Sequence, residues 1–320
     1  MTSQFIILHP AVNLLLLFPM DSLVLLIFCF LFGMIARKLE LLPSSTPIVL
    51  NNFIINLSMP AITFLFIHRM EFDTSLLFPV FMPWIHFALA FGIFYFIAKW
   101  KKYDRKMTGT MILTAGLGNT SFVGFPLITA YYGAEYLGVG VLCDQPGSFL
   151  VLSTLGIATA AYYSSGSVSP LGLIKKVFTF PPFQAMLLAV LLRSFEIPWW
   201  AESSMKTLGL TITPLAMVSV GYQLKLVKSG GIINKLFFGL GYKLFLAPAF
   251  FYVLYVLILG GAGKNMQVTL FESAMAPMIT AGIVSIQYGL DEDLAVMMLG
   301  VGIPLSLLTT PIWYYLFSGV

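Results

Sequence analysis

Two acids stand inside apolar runs of this chain, Asp144 beside Gln145 and Pro146, and Glu272 just ahead of Ser273-Ala274-Met275-Ala276-Pro277. A carboxylate at bilayer depth costs about 2.5 kcal/mol or more on insertion scales, so it marks a functional site unless it reaches the interface. Burial favours the uncharged form of such a group, which suits it to carrying a proton between a dry and a wet state. Asp144 is the deeper of the two and is expected to matter first for proton or ion coupling, with Glu272 and Gln145 as further coupling groups. The plainer reading makes Asp144 structural and Glu272 a solvated charge near the outer interface. His86 reads as a lone histidine satisfied by a carbonyl.

The second set of chemically useful residues is neutral. Gly118-Asn119-Thr120-Ser121-Phe122-Val123-Gly124-Phe125-Pro126 interrupts one apolar helix with polar residues, glycine and proline, and Ser273-Ala274-Met275-Ala276-Pro277 interrupts another in the second half of the chain. Backbone that unwinds at membrane depth must be buried in protein or line a wet cavity. Pro126 and Pro277 are expected to start the second half-helices, because proline lacks the N–H that a first turn leaves unpaired. Such half-helix N-termini attract a carboxylate. No Lys or Arg falls at the centre of a span, and Lys243 reads as lying early in its span near the inner face. A bound anion should therefore meet dipoles and neutral donors: Asn119, Thr120 and Ser121 at the first break, with Pro126, Ala276 and Pro277 completing the site. The two prolines are expected within about 10 Å of each other, where inverted repeats cross. The alternative is a pair of proline kinks whose freed groups are satisfied by neighbouring helices.

The elements that must position these residues follow from composition. At 320 residues, with 59% hydrophobic and only 9% charged residues, the chain cannot clothe a soluble globule and is an all-α integral membrane protein. Helical spans need roughly 20 apolar residues, whereas barrel strands would alternate over about ten, and the runs here are long and unbroken. Ten spans are read at about 21–37, 47–67, 76–99, 107–134, 136–164, 181–196, 204–226, 236–259, 267–289 and 292–317. Arg37, Lys38, Lys99, Lys101, Lys102, Arg105, Lys106, Lys175, Lys176, Lys225, Lys228 and Lys235 then fall on one side and Arg69, Arg193, Lys206 and Lys264 on the other, which places both termini outside. Residues 1–20 form a lead-in, 21–164 a first five-helix repeat, 165–180 a cytoplasmic connection and 181–317 a second repeat. An odd number of spans per repeat makes the repeats inverted. Leu57-Ser58-Met59-Pro60-Ala61 echoes Ile212-Thr213-Pro214-Leu215-Ala216, and Asp144-Gln145-Pro146-Gly147-Ser148 echoes Gly302-Ile303-Pro304-Leu305-Ser306.

Other classes fall away. Cys29 and Cys143 lie in apolar runs without metal or redox spacing, and no metal or cofactor is expected. Three histidines, with no G-x-S-x-G, H-E-x-x-H or paired carboxylates at helical spacing, argue against an enzyme. Basic residues scattered between spans rather than gathered on one patch argue against nucleic acid. Trp84, Trp100, Trp199, Trp200 and Trp313 fall near span ends and read as interface anchors.

These motifs resemble the auxin efflux carrier family of plant PIN carriers and bacterial permeases. The likeness runs from about 21 to 317 and is most specific at Gly118 to Leu127, Asp144 to Ser148 and Leu57 to Ala61. The resemblance implies two inverted five-helix repeats with spans 4 and 9 crossing at their breaks. It also implies a scaffold of spans 1, 2, 6 and 7, and a transport domain of spans 3–5 and 8–10. It implies that Asn119 meets a substrate carboxylate and that Pro126 and Pro277 are the crossover prolines. The short central connection resembles that of bacterial members, which are associated with malate, malonate and other small carboxylates. The expectation is a plasma-membrane secondary transporter for a mono- or dicarboxylate, working by elevator-type alternating access, with proton coupling and a homodimer both left open. A sodium-coupled symporter of the same fold is one alternative, disfavoured where Ala276 follows Glu272 in place of the Gln that sodium symporters carry. A transporter-like sensor is the other, disfavoured because no signalling domain is appended.

Overall fold

Long apolar runs punctuated by glycine and proline give helices that bend without ending. The computed structural model describes residues 20–70, 73–164, 170–224 and 233–320. The lead-in 1–19, the start of the central connection, Lys225 and Lys228 lie outside the described residues. Helix α1 is Met20–Lys38, and α2 (Thr46–Phe53) continues into α3 (Met59–Arg69). Helix α4 is Leu77–Lys101; α5 (Arg105–Gly116) and α6 (Phe125–Tyr131) are the halves of a broken helix. Helices α7 (Leu137–Cys143) and α8 (Ile157–Tyr163) belong to one run over Ala134–Tyr163. A short amphipathic α9 (Pro170–Phe178) precedes α10 (Pro181–Leu191), α11 (Trp199–Leu210) and α12 (Ile212–Gln223). Helices α13 (Ile233–Gly241) and α14 (Ala247–Phe251) share the run Ile233–Ile258. The second broken helix is α15 (Lys264–Ser273) and α16 (Ile279–Gln287), and α17 (Glu292–Phe317) closes the chain.

Among the described residues five continuous helical runs are long and apolar enough to cross a membrane: Thr46–Arg69, Thr74–Lys101, Ala134–Tyr163, Ile233–Ile258 and Glu292–Phe317. Large apolar side chains such as Val24, Ile27, Phe28 and Leu31 on α1 point outward, as lipid-facing residues do and as a water-soluble surface does not at this density. Among the described residues the inner faces meet in two large apolar cores and a small one around Phe149, Val177 and Phe183. One large core joins Leu26, Phe30, Leu65, Met217, Phe125 and Phe271; the other joins Phe87, Phe94, Met111, Leu240, Ala281 and Met298.

Helices α1 and α12 approach closely at two glycines. Gly33 lies against the Val218 carbonyl and the Tyr222 N–H, and Gly221 lies against the Phe30 carbonyl, so each glycine admits the other helix's backbone. Small residues at a membrane helix interface allow this approach, where lipid offers no hydrophobic drive between helices. Arg37 then ties the pair, donating to the carbonyls of Tyr222 at 3.3 Å and Leu224 at 2.6 Å at the C-terminus of α12.

Several helices widen to i→i+5 turns, including Ile54–Ser58, Asp144–Phe149 and Tyr242–Leu246. Wide turns recur at functional sites because they free backbone groups and re-aim side chains. Two tryptophans answer the freed carbonyls. Trp84 Nε1 donates to the Pro146 carbonyl at 2.9 Å, and Trp313 Nε1 to the Leu244 carbonyl at 2.7 Å. These two are therefore internal hydrogen-bond donors rather than interface anchors, whereas Trp100, Trp199 and Trp200 are exposed.

Candidate functional site

The two broken helices meet through their backbones. Helix α5 ends at Gly116, and Leu117 and Gly118 run extended before Asn119 turns the chain into the wide turn Thr120–Gly124 and α6. Helix α15 ends at Ser273, and the chain stays unwound to Met278 before α16 begins. Gly118 and Pro277 face each other as an antiparallel bridge. The Asn119 N–H donates to the Ala276 carbonyl at 2.8 Å, and the Met278 N–H donates to the Leu117 carbonyl at 3.0 Å. Proline suits the middle position, since neither bond requires an N–H from residue 277. Its ring packs on Gly302, where a Cβ would stand 2.8 Å from ring carbons.

This crossing differs in detail from the sequence expectation. Pro277 bridges to Gly118 and, rather than starting the second half-helix, lies within the unwound segment two residues ahead of α16. Pro126 does occupy the first turn of α6. It lines a separate cavity of about 540 Å³ together with Ile62, Phe66, Arg69, Lys206 and Leu210. At that cavity's rim Glu202 pairs with both Arg69 and Lys206. A smaller cavity of about 90 Å³ lies between α12 and the α16–α17 pair, lined by Gln223, Ile279 and Ile303 among others.

Around the crossing the polar residues are sealed from solvent. Asn119, Thr120, Ser121, Asp144, Gln145 and Glu272 are all buried, as is Ala276. Thr120 Oγ1 donates to Asp144 Oδ1 at 2.7 Å, and Gln145 Nε2 donates to Asp144 Oδ2 at 2.7 Å, so the first break is anchored to the wide turn that carries Asp144. Removing the hydroxyl by Thr120→Val is expected to lower the thermal unfolding temperature in detergent, a hydrogen bond to a carboxylate being worth about 1.5–3 kcal/mol. An unchanged unfolding temperature would show that the bond does not anchor the break.

Glu272 has no such partners. It is completely buried rather than a solvated interface charge, and neither carboxylate oxygen has a hydrogen-bond partner. The carboxylate lies on the bare Cα of Gly124, where a Cβ would stand 2.7 Å from Oε2 and closer still to Oε1. Asn119 Nδ2 and Gln145 Oε1 are likewise buried and unpartnered. His86 is buried with Nε2 unpartnered, and its carbonyl accepts from the Tyr242 hydroxyl at 3.0 Å.

The residue that sequence reading missed is Lys243. It is completely buried beside the crossing, donating to the Ser273 carbonyl at 3.2 Å. A Cβ on Gly118 would stand 3.2 Å from its Nζ. A lysine inside the apolar stretch Ile233–Ile258 was the available signal, since intramembrane ionisable residues mark sites by default.

An all-helical bundle with outward-facing apolar helices, whose two broken helices cross around sealed acids and donors, defines a multi-pass membrane protein with an internal polar site. Residues 18–314 match the family described as Membrane transport protein, and the chain belongs to that family, the one to which the auxin efflux carriers belong. It is a family of transporters, not of enzymes. The chain is 29% identical over 311 residues to an uncharacterized transporter of Methanocaldococcus jannaschii, covering 92% of this chain and 97% of the relative. It is 27% identical over 288 residues to an uncharacterized transporter of Methanothermobacter thermautotrophicus, covering 88% of this chain and 93% of that relative.

Proposed function

We propose that this transporter carries a small organic anion, a mono- or dicarboxylate, held at the crossing of the two broken helices and exposed alternately to either side of the plasma membrane. The observation that carries this reading is the unpartnered, buried Nδ2 of Asn119 at a crossing built from backbone bonds. A buried amide without an acceptor is costly, and a carboxylate is an acceptor that removes the cost. The reading takes the ten apolar runs as spans of two inverted repeats, 21–164 and 181–317, with both termini outside. Spans 1, 2, 6 and 7 act as scaffold and spans 3–5 and 8–10 as the moving part. Supporting it, α1 packs along α12 and α3 packs on α10 and α11, within the spans assigned to the scaffold. The two cavities border α11 and α12 on one side and the second half-helices α6 and α16 on the other, where an elevator-type shift would open one and close the other.

Counterflow of labelled malonate or malate in proteoliposomes tests the proposal. Saturable exchange supports a carrier; binding of carboxylates without exchange would make the protein a sensor. Proton coupling is read as passing through Asp144, with Glu272 and Gln145 beside it, and sodium coupling is disfavoured by Ala276. Asp144→Asn is expected to abolish the response of transport to an imposed pH gradient while leaving carboxylate binding partly intact. A variant that still follows the gradient would leave Asp144 a structural acceptor for Thr120 and Gln145.

A further inference from the structure

Lys243 plays no part in the reading above, which holds the anion with neutral donors. It lies in the wide turn Tyr242–Leu246, ten residues into the run Ile233–Ile258, about 15 Å along the helix at 1.5 Å per residue. That distance is about half the hydrocarbon thickness of a bilayer. Its ammonium carries three donors and is given one protein acceptor, the Ser273 carbonyl, at the long end of hydrogen-bond distances. Its Nζ rests against the bare Cα of Gly118, the residue that bridges to Pro277, and the next residue along bears the unpartnered amide of Asn119.

Glu272, whose backbone carbonyl lies near the same Gly118, interacts electrostatically with Lys243 and with Asp144. The other titratable groups in reach are Cys143, toward Glu272 and Asp144, and His86, toward Lys243. Among the described residues the ion pairs closer than 4.0 Å are those of Glu202 with Arg69 and Lys206, so Lys243 and Glu272 form no bridge. Isolated buried charges are expensive, and removing one partner of such a pair leaves the other uncompensated. A buried ammonium with one acceptor and, one residue on from the glycine it touches, a buried unpartnered amide supply donors that a second carboxylate can take.

We propose that Lys243 is an anion-binding residue of the crossing and that Glu272 is the counter-ion it exchanges for the substrate. The incoming carboxylate takes the ammonium and the Asn119 amide, and Glu272 is released from neutralising Lys243. This rests on the organic-anion reading and changes its chemistry: the site discriminates by a fixed charge as well as by helix dipoles, and it holds an internal competitor that keeps the ammonium from retaining its ligand.

The test compares wild type, Lys243→Met, Glu272→Gln and the double variant Lys243→Met/Glu272→Gln in detergent. Thermal unfolding is followed alone and with the sodium salts of acetate, malonate, malate and indole-3-acetate against sodium chloride at matched ionic strength. Each single change is expected to lower the unfolding temperature, and the double variant to stand closer to wild type than the sum of the two. At least one carboxylate should raise the wild-type unfolding temperature, with affinity reduced at least about tenfold in the double variant, which is charge-neutral at the pair and so remains foldable. Additive unfolding temperatures, or a carboxylate response in the double variant equal to that of wild type, would overturn the proposal. A wild type indifferent to all four salts would overturn the organic-anion reading, and the anion role of Lys243 with it.

Discussion

Asn119→Ala is expected to weaken carboxylate binding by about ten- to a hundredfold while leaving the unfolding temperature within a degree or two of wild type. The two effects separate because the side chain and the backbone of this residue do different work. The backbone N–H holds the crossing through the Ala276 carbonyl, and alanine keeps it. The side-chain Nδ2 is buried and bonded to nothing in the protein, so its removal costs the fold no hydrogen bond and relieves one unsatisfied donor. Against a charged acceptor the same donor is worth about 1.5–3 kcal/mol, which is the stated loss of affinity. Isothermal titration of the purified variant with the carboxylate that exchanges best in counterflow checks it. Equal affinity in a folded variant would remove Asn119 from the site.

Gly221→Val is expected to have the largest effect on stability, greater than any single loss around the crossing. A Cβ on Gly221 would enter the Phe30 carbonyl and press on the Met34 N–H, and Gly33 meets the backbone of α12 in the same way. The obstacle is backbone rather than the tip of a flexible side chain, so the helices must part. Overpacking of this kind costs about 1–3 kcal/mol and more where nothing can yield. Separating α1 from α12 also pulls Arg37 from the carbonyls of Tyr222 and Leu224. The measurement is the unfolding temperature and monodispersity of the variant in detergent, with Gly241→Val as the comparison, since a Cβ there meets nothing within 4 Å. Similar behaviour of the two variants would show that the glycine contact does not set the α1–α12 approach.

The apolar runs and both helix breaks are legible in the sequence because hydropathy and punctuation are local properties. Gly118-Asn119 and Ala276-Pro277 announce unwound backbone, and the unwound segments are found there. The partner of Pro277 was not legible. Proline draws attention as a helix breaker and points to Pro126 as its counterpart, yet a bridge between two backbones is chosen by which residue lets them approach, and that residue is Gly118. Asp144 could be singled out as a buried acid, but not its satisfaction by Thr120, a contact across 24 positions. Hydropathy starts the apolar run at 236 and leaves Lys243 near its end, whereas the helix includes residues from Ile233 and carries the lysine about a turn deeper. Trp84 and Trp313 were misassigned for the opposite reason. Their positions near span ends are compatible with a headgroup, and only the fold turns them inward to carbonyls of other helices.

The bonds that clasp Leu117 and Asn119 to Met278 and Ala276 are made entirely by the main chain. Such a clasp is indifferent to the identity of most side chains it presents, as long as glycine and proline keep the two strands close. Side-chain identity and backbone architecture are thereby decoupled at the crossing. Replacements at 119, 121 or 276 can change the side chains presented there without breaking those main-chain bonds. A lineage inheriting this junction could vary the side chains around it by single substitutions while keeping the clasp itself.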